Sequence, residues 1–92
     1  MRITAELSLY PLRESFTEPI LACIALLRAQ PGVEIVTNQM STQLRGEYDA
    51  VMAALSTGMR GAMAAPGTVV CVVKVLNADL PIGSPPALRL HG

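Results

Sequence analysis

The stretch TNQMSTQLRGEYDAV, residues 37–51, decides how this chain is read. VEIVTN, overlapping its start, has the β-branched content of a strand, and MSTQLRG can return beside it with a turn near Asn38 to Met40. After Gly46 the period changes. Tyr48, Val51, Met52, Leu55, Met59 and Met63 fall on one helical stripe, and Glu47 and Asp49 stand in its first turn, where negative charge complements the helix dipole. A hairpin leading straight into a helix is the middle of a β-α-β-β-α-β chain. The same stretch gathers Asn38, Ser41, Thr42 and Gln43 in a chain that is 51% hydrophobic, so those polar groups call for a purpose.

Working outward, Ile3, Ala5, Leu7 and Leu9 alternate with Thr4, Glu6, Ser8 and Tyr10, the period of a strand with one apolar face, until Pro11 ends it. In ESFTEPILACIALLRAQPG, Thr17 can cap, and Glu18 and Pro19 suit a first turn. Phe16, Ile20, Cys23, Ile24 and Leu27 form a stripe, which predicts a helix over 17–29. Gly58 and Gly61 weaken the second helix, APG stops it, and TVVCVVKVL is a β-branched run expected as a central strand. The predicted fold class is α+β, a ferredoxin-like sandwich with two helices on one face of a four-stranded antiparallel sheet. It occupies residues 1–78. Residues 79–92, with three of the seven prolines and no periodicity, are expected as an irregular tail.

Seven basic and seven acidic residues cancel, and charged residues make up only 15% of the chain, so no electrostatic footprint for nucleic acid or an anionic membrane is present. The longest charge-free apolar run, Ile20 to Leu27, is too short to span a bilayer, and the N-terminus reads as a strand and not as a leader. A cytoplasmic protein without membrane insertion is the expectation. Cys23 and Cys71 sit among aliphatic residues with no second ligand at metal spacing, which reads as buried thiols; no metal site and no cofactor are expected. His91, the one histidine, stands at the end of the tail, so no internal base is available for a serine or cysteine nucleophile.

With two helices on one sheet face, the other must be solvated, covered by a second subunit or used for a ligand. Glu6, Ser8 and Tyr10 point there, and the returning strand after Met40 should bring its hydroxyls beside them. A carboxylate in such a place is satisfied either by Arg2 or Arg45 or by a cationic, donor-rich ligand. Ser41, Thr42 and Gly46 precede a helix, where hydroxyls and free N–H groups can hold a polar heterocycle or simply cap a turn.

SLYPL at the end of the first strand, followed by Ser41, Thr42 and Gly46 in a Ser-Thr-x-x-x-Gly pattern, resembles the YkoF-type thiamine and hydroxymethylpyrimidine-binding family over about residues 3–76. The resemblance implies a ferredoxin-like domain that binds thiamine or its pyrimidine moiety without transforming it, in salvage or transport of vitamin B1. Some members carry two such domains in tandem, so a single domain implies a homodimer or dimer of dimers. Ser8, Tyr10, Ser41, Thr42 and Gly46 carry over from the motifs; Glu6, Asn38 and Asp49 are added from geometry. In that picture Glu6 or Asp49 meets the cation or the aminopyrimidine, Ser41 and Thr42 hydrogen-bond the ring edge, and Tyr10 or Met40 packs on it.

Two other readings share the fold. A ligand-sensing or purely structural oligomerisation module predicts the same dimer with a different ligand or none. An acylphosphatase-like hydrolase has Arg13 and Asn38 in roughly the right places, but YPLRES has no glycine-rich phosphate cradle and Pro11 removes a donor. The expectation is therefore a binding protein and not an enzyme.

Overall fold

The computed structural model describes residues 1–12, 17–64 and 66–86; Arg13, Phe16 and His91, named above, lie outside them, as does the tail from residue 87. The elements run β1 (Arg2–Leu12), α1 (Thr17–Arg28), β2 (Val33–Thr37), β3 (Thr42–Glu47), α2 (Tyr48–Met63) and β4 (Thr68–Leu76). The four strands form one antiparallel sheet in the order β2-β3-β1-β4, with both helices on one face. This is the ferredoxin-like plan that the sequence predicts. The β4 run, expected as a central strand, instead forms an edge, because the second antiparallel partner of β1 has only one neighbour in this topology.

β1 is the long central strand, and its two ladders differ in length. On one side it pairs with β4 from Thr4↔Leu76 to Leu12↔Thr68; on the other it pairs with β3 only from Arg2↔Glu47 to Leu7↔Thr42. Residues 8–12 therefore keep one backbone edge without a strand partner. β2 closes the sheet beyond β3, ending at Thr37↔Thr42.

The core follows from the two periodicities. Ile3, Ala5 and Leu7 alternate onto the helix face and meet Cys23 and Leu27 of α1 and Val51 and Leu55 of α2, all buried. The exposed face of α2 departs from the expected stripe. Val51, Ala54, Leu55, Gly58 and Ala62 are buried, whereas Tyr48, Met52 and Met63 are exposed and Met59 is half-buried. The cause is the close approach of the two helices: a Cβ on Gly58 would lie 2.7 Å from Leu27 Cδ2 and 3.1 Å from Cys23 Sγ. Small residues must face α1, which turns the methionines outward to the β4 side.

On the open face the chain after β4 folds back over the end of β1. The Thr4 hydroxyl donates to the Ala78 carbonyl at 2.7 Å and accepts from the Leu80 N–H at 3.0 Å, and Thr4 is buried as a result. Asp79 bridges Arg45 Nε at 2.7 Å and Arg2 Nε at 3.1 Å, and Arg45 reaches Glu34 at 3.4 Å. Arg2 and Arg45 are thus engaged with Asp79 and not with Glu6, and the strap leaves the Glu6 end of the face uncovered.

Gly46 is a packing position inside β3, because a Cβ there would come within 2.8 Å of the Gly32 carbonyl oxygen. The neighbour is backbone and cannot swing aside. Gly46→Ala should lose about 1–3 kcal/mol of stability despite the better strand propensity of alanine, read as a lower urea midpoint at unchanged slope.

Candidate functional site

Where β1 outruns β3, α1 and the β2–β3 hairpin leave a cavity of about 160 Å³. Its inner walls are aliphatic, from Leu7 and Leu9 of β1 and Ile20, Ile24 and Leu27 of α1, with the Cys23 sulfur among them. Burial, and secondarily the neighbouring Cys71, pushes the Cys23 thiol up to about 11, so at neutral pH it is a neutral wall group and not a nucleophile. Cys71 is half-buried, and its thiol is also pushed up by burial.

The lip is the hairpin. Asn38 builds the turn, its Oδ1 accepting from the N–H of Met40 at 2.8 Å and of Ser41 at 3.0 Å, while its own N–H donates to the Ser41 carbonyl. Thr37 and Thr42, directly paired across the strands, share a hydroxyl hydrogen bond of 3.0 Å at the inner end of the turn. Ser41 faces the other way: its hydroxyl donates to Glu6 Oε2 at 2.9 Å and accepts from Gln43 Nε2 at 2.7 Å. Lys74 Nζ lies 3.3 Å from Glu6 Oε1. The Ser41 donor, then Lys74, hold the Glu6 carboxyl below its ordinary value of 4.5, against a smaller opposing effect of burial. A charged carboxylate is therefore fixed on the open face, one hydrogen bond from a residue of the cavity lip.

Of the residues singled out in the sequence, Ser8, Asn38, Met40, Ser41 and Thr42 line the cavity and Glu6 joins them through Ser41. Tyr10 is 55% exposed on the open face, paired with Val70, and does not line it. Gly46 and Asp49 lie towards the opposite end of β3, where Glu47 pairs with Arg2 of β1, and are not part of the group. Thr42 turns its side chain to the helix side, so the two hydroxyls of the motif serve opposite faces: Ser41 meets Glu6, Thr42 meets Thr37. Thr37, Gln39 and Gln43, part of the polar stretch but given no role of their own, join the group, and Lys74 is the residue missed. Register alone would have supplied Gln43 and Lys74, since both stand opposite Glu6.

A larger open groove of about 650 Å³ runs between α2 and β4, lined by Met52, Met59, Met63 and Val73, with Ser56 and Arg60 as its polar side chains. It offers an apolar surface without converging donors and acceptors, so the smaller cavity is the better candidate for a polar ring. Among the described residues no cluster of three or more His, Cys, Asp or Glu side chains is placed to hold a metal ion, and no helix is long and apolar enough to cross a membrane.

A ferredoxin-like sheet with a ring-sized notch beside its central strand places the chain in a class of small α+β domains that recurs in solved structures. A protein of Streptococcus pneumoniae superposes with a TM-score of 0.79 at 27% identity over 87% of this chain and 90% of that one. A hypothetical protein of Methanocaldococcus jannaschii gives 0.74 at 22% identity over 85% and 81%. A Thermotoga maritima protein, provisionally assigned to thiamine biosynthesis or salvage, gives 0.71 at 17% identity over 94% and 90%. The model of the YKOF-related family matches residues 2–87, and the chain belongs to that family. No functionally curated protein matches it.

Since the Ser41 hydroxyl and the Lys74 ammonium both hold the Glu6 carboxyl low, Ser41→Ala and Lys74→Met should each raise the Glu6 pKa toward 4.5. Carboxyl titration by NMR reads both. An unmoved Glu6 in Ser41→Ala would contradict the hydrogen-bond assignment.

Proposed function

We propose that the chain binds thiamine or its hydroxymethylpyrimidine moiety without transforming it, in cytoplasmic salvage or transport of the vitamin. The observation that carries this reading is the size and setting of the cavity. About 160 Å³ matches the volume, about 150 Å³ in an engineered apolar cavity, that accepts a benzene-sized ring. One six-membered heterocycle fits; the two rings of thiamine together do not. The pyrimidine goes inside, between the aliphatic wall and the Thr37–Thr42 hydroxyl pair, with Met40 at the lip. The thiazolium stays outside, toward the Glu6 carboxylate that Ser41 holds. Family membership and the Thermotoga neighbour support a thiamine-related role. Phosphorylated thiamine is disfavoured, because Arg45 is already engaged by Asp79 and Glu34, and Lys74 by Glu6.

Calorimetric titration with thiamine, hydroxymethylpyrimidine and thiamine phosphate tests this. Saturable binding of the first two at one ligand per chain is expected, with the phosphate weaker. Glu6→Gln should weaken thiamine by about two- to fivefold, as for a half-exposed ion pair, and leave the uncharged pyrimidine unchanged. Because the Glu6 carboxyl is held low, thiamine affinity should stay level from neutral pH down to about 4.5 and fall only as pH drops through the lowered value. Absence of binding by all three would reject the reading.

The β4 edge favours a second copy of this chain as a further partner, in line with a homodimer or dimer of dimers. Among the described residues no strand pairs with its outer edge, it carries no proline, and its one charge is Lys74. Val70, Val72 and Leu76 are exposed on one face of this edge, and Val75 with the methionine groove on the other, so an occupant must continue both layers. Another copy has that cross-section. Nine residues at about 3.4 Å each give a strip roughly 30 Å long. Across the 17 Å shortest extent of the chain, its footprint of roughly 500 Å² approaches the ~600 Å² per partner at which specific interfaces begin. Val72→Lys should shift the mass measured by light scattering toward the monomer. An unchanged mass would place any interface elsewhere.

A further inference from the structure

We infer that the main chain of β1 at Leu9, and not a side chain, reads the amino-bearing edge of the pyrimidine and so sets which heterocycles the site accepts. The inference rests on the ligand reading above and concerns the orientation and selectivity of the ring.

Three observations converge on that strip of backbone. The first is the unequal pairing of β1: its ladder to β3 stops at Leu7↔Thr42, whereas its ladder to β4 continues to Leu12↔Thr68. Successive residues of an antiparallel strand turn their N–H and C=O to opposite sides. Met1, which accepts from the Tyr48 N–H, sets the odd-numbered residues of β1 toward β3. Past Leu7 the free edge therefore offers the N–H and C=O of Leu9, a donor and an acceptor side by side. Among the described residues nothing bonds to it. The second is that Leu9, the first residue past the Leu7↔Thr42 pair whose N–H and C=O turn to that side, lines the cavity.

The third is that the side chains around the lip are already committed. The Asn38 carbonyl oxygen accepts two turn N–H groups, the Ser41 hydroxyl is shared between Glu6 and Gln43, and Thr37 and Thr42 bond each other. Gln39 is exposed at the tip of the turn. The Thr37–Thr42 pair keeps one O–H donor, whereas the strand edge keeps a donor and an acceptor together, and half-buried backbone groups of this kind are normally paired. A 4-aminopyrimidine carries an exocyclic donor next to a ring-nitrogen acceptor. Lying in the plane of the sheet, it can continue the interrupted ladder as a short piece of β3 would. A 4-oxopyrimidine has nearly the same shape with donor and acceptor exchanged, so both contacts become mismatched.

The test compares thiamine with its analogue in which the 4-amino group is replaced by 4-oxo, by calorimetry on the wild-type chain. The analogue should bind roughly ten- to a hundredfold more weakly, the discrimination typical of a bidentate pair. Ser41→Ala and Thr42→Val should weaken both ligands while preserving their ratio, and thiamine should slow amide exchange at Leu9. Equal affinity for the two, collapse of the ratio in either variant, or unchanged exchange at the Leu9 amide would overturn the main-chain assignment and leave thiamine binding standing. Failure of wild type to bind either compound would overturn the ligand reading and this inference with it.

Discussion

The structure turns on one mismatch: β1 is longer than the strand beside it. Its pairing with β4 holds all of Thr4–Leu12 extended, so the segment past Leu7 cannot curl away when β3 ends. A rigid strand edge is left facing the β2–β3 turn, and α1 passes over the gap with aliphatic side chains. The cavity is thus a missing piece of sheet roofed by a helix. That origin explains why it is narrow, apolar on its walls and polar along one line.

The turn that bounds the gap is built to stay where it is. Asn38 uses its side-chain oxygen to close the loop on itself, and the Thr37–Thr42 hydroxyl bond locks the last cross-strand pair. Ser41 then ties the turn to β1 through Glu6, which Lys74 ties in turn to β4. Three strands are linked across the open face by one chain of side-chain contacts. The charge at its centre is stabilised by the same Ser41 hydroxyl that borders the cavity, so the position of the lip and the ionisation of Glu6 are coupled.

The order of elements was legible because it rests on periodicity: alternation in residues 3–10, the shift to helical spacing after Gly46, and the β-branched run before Lys74. The Glu6–Ser41 contact was legible for the same reason, since alternation and antiparallel return put them on one face. What was not legible depended on distances between elements. The α2 stripe was read by hydrophobicity, which favours Met52, Met59 and Met63, but the helix is oriented by Gly58 against Leu27 and Cys23, a contact between segments with no local signature. Thr42 was grouped with Ser41 by motif, yet adjacent strand residues must face opposite ways. Asp49 and Gly46 belong to the same motif region but stand a strand's length from the turn, because a strand advances about 3.4 Å per residue. Where a ladder stops is a further distance that alternation does not encode, and it is the one that makes the cavity.

The close helix contact also shapes the other edge of the molecule. With Ala54, Gly58 and Ala62 turned to α1, the bulk of α2 is displaced to its far side, over the outer edge of β4. A monomer would have reason to guard a nine-residue edge strand with charge, proline or a bulge. This one instead places valines on both faces of it and methionines alongside, and methionine is the side chain that adapts best to a partner's surface. The two free edges are therefore treated differently by one sheet. Among the described residues, that of β1 is open over a few residues and enclosed, which suits a small planar ligand; that of β4 is open along its length and exposed, which suits another strand.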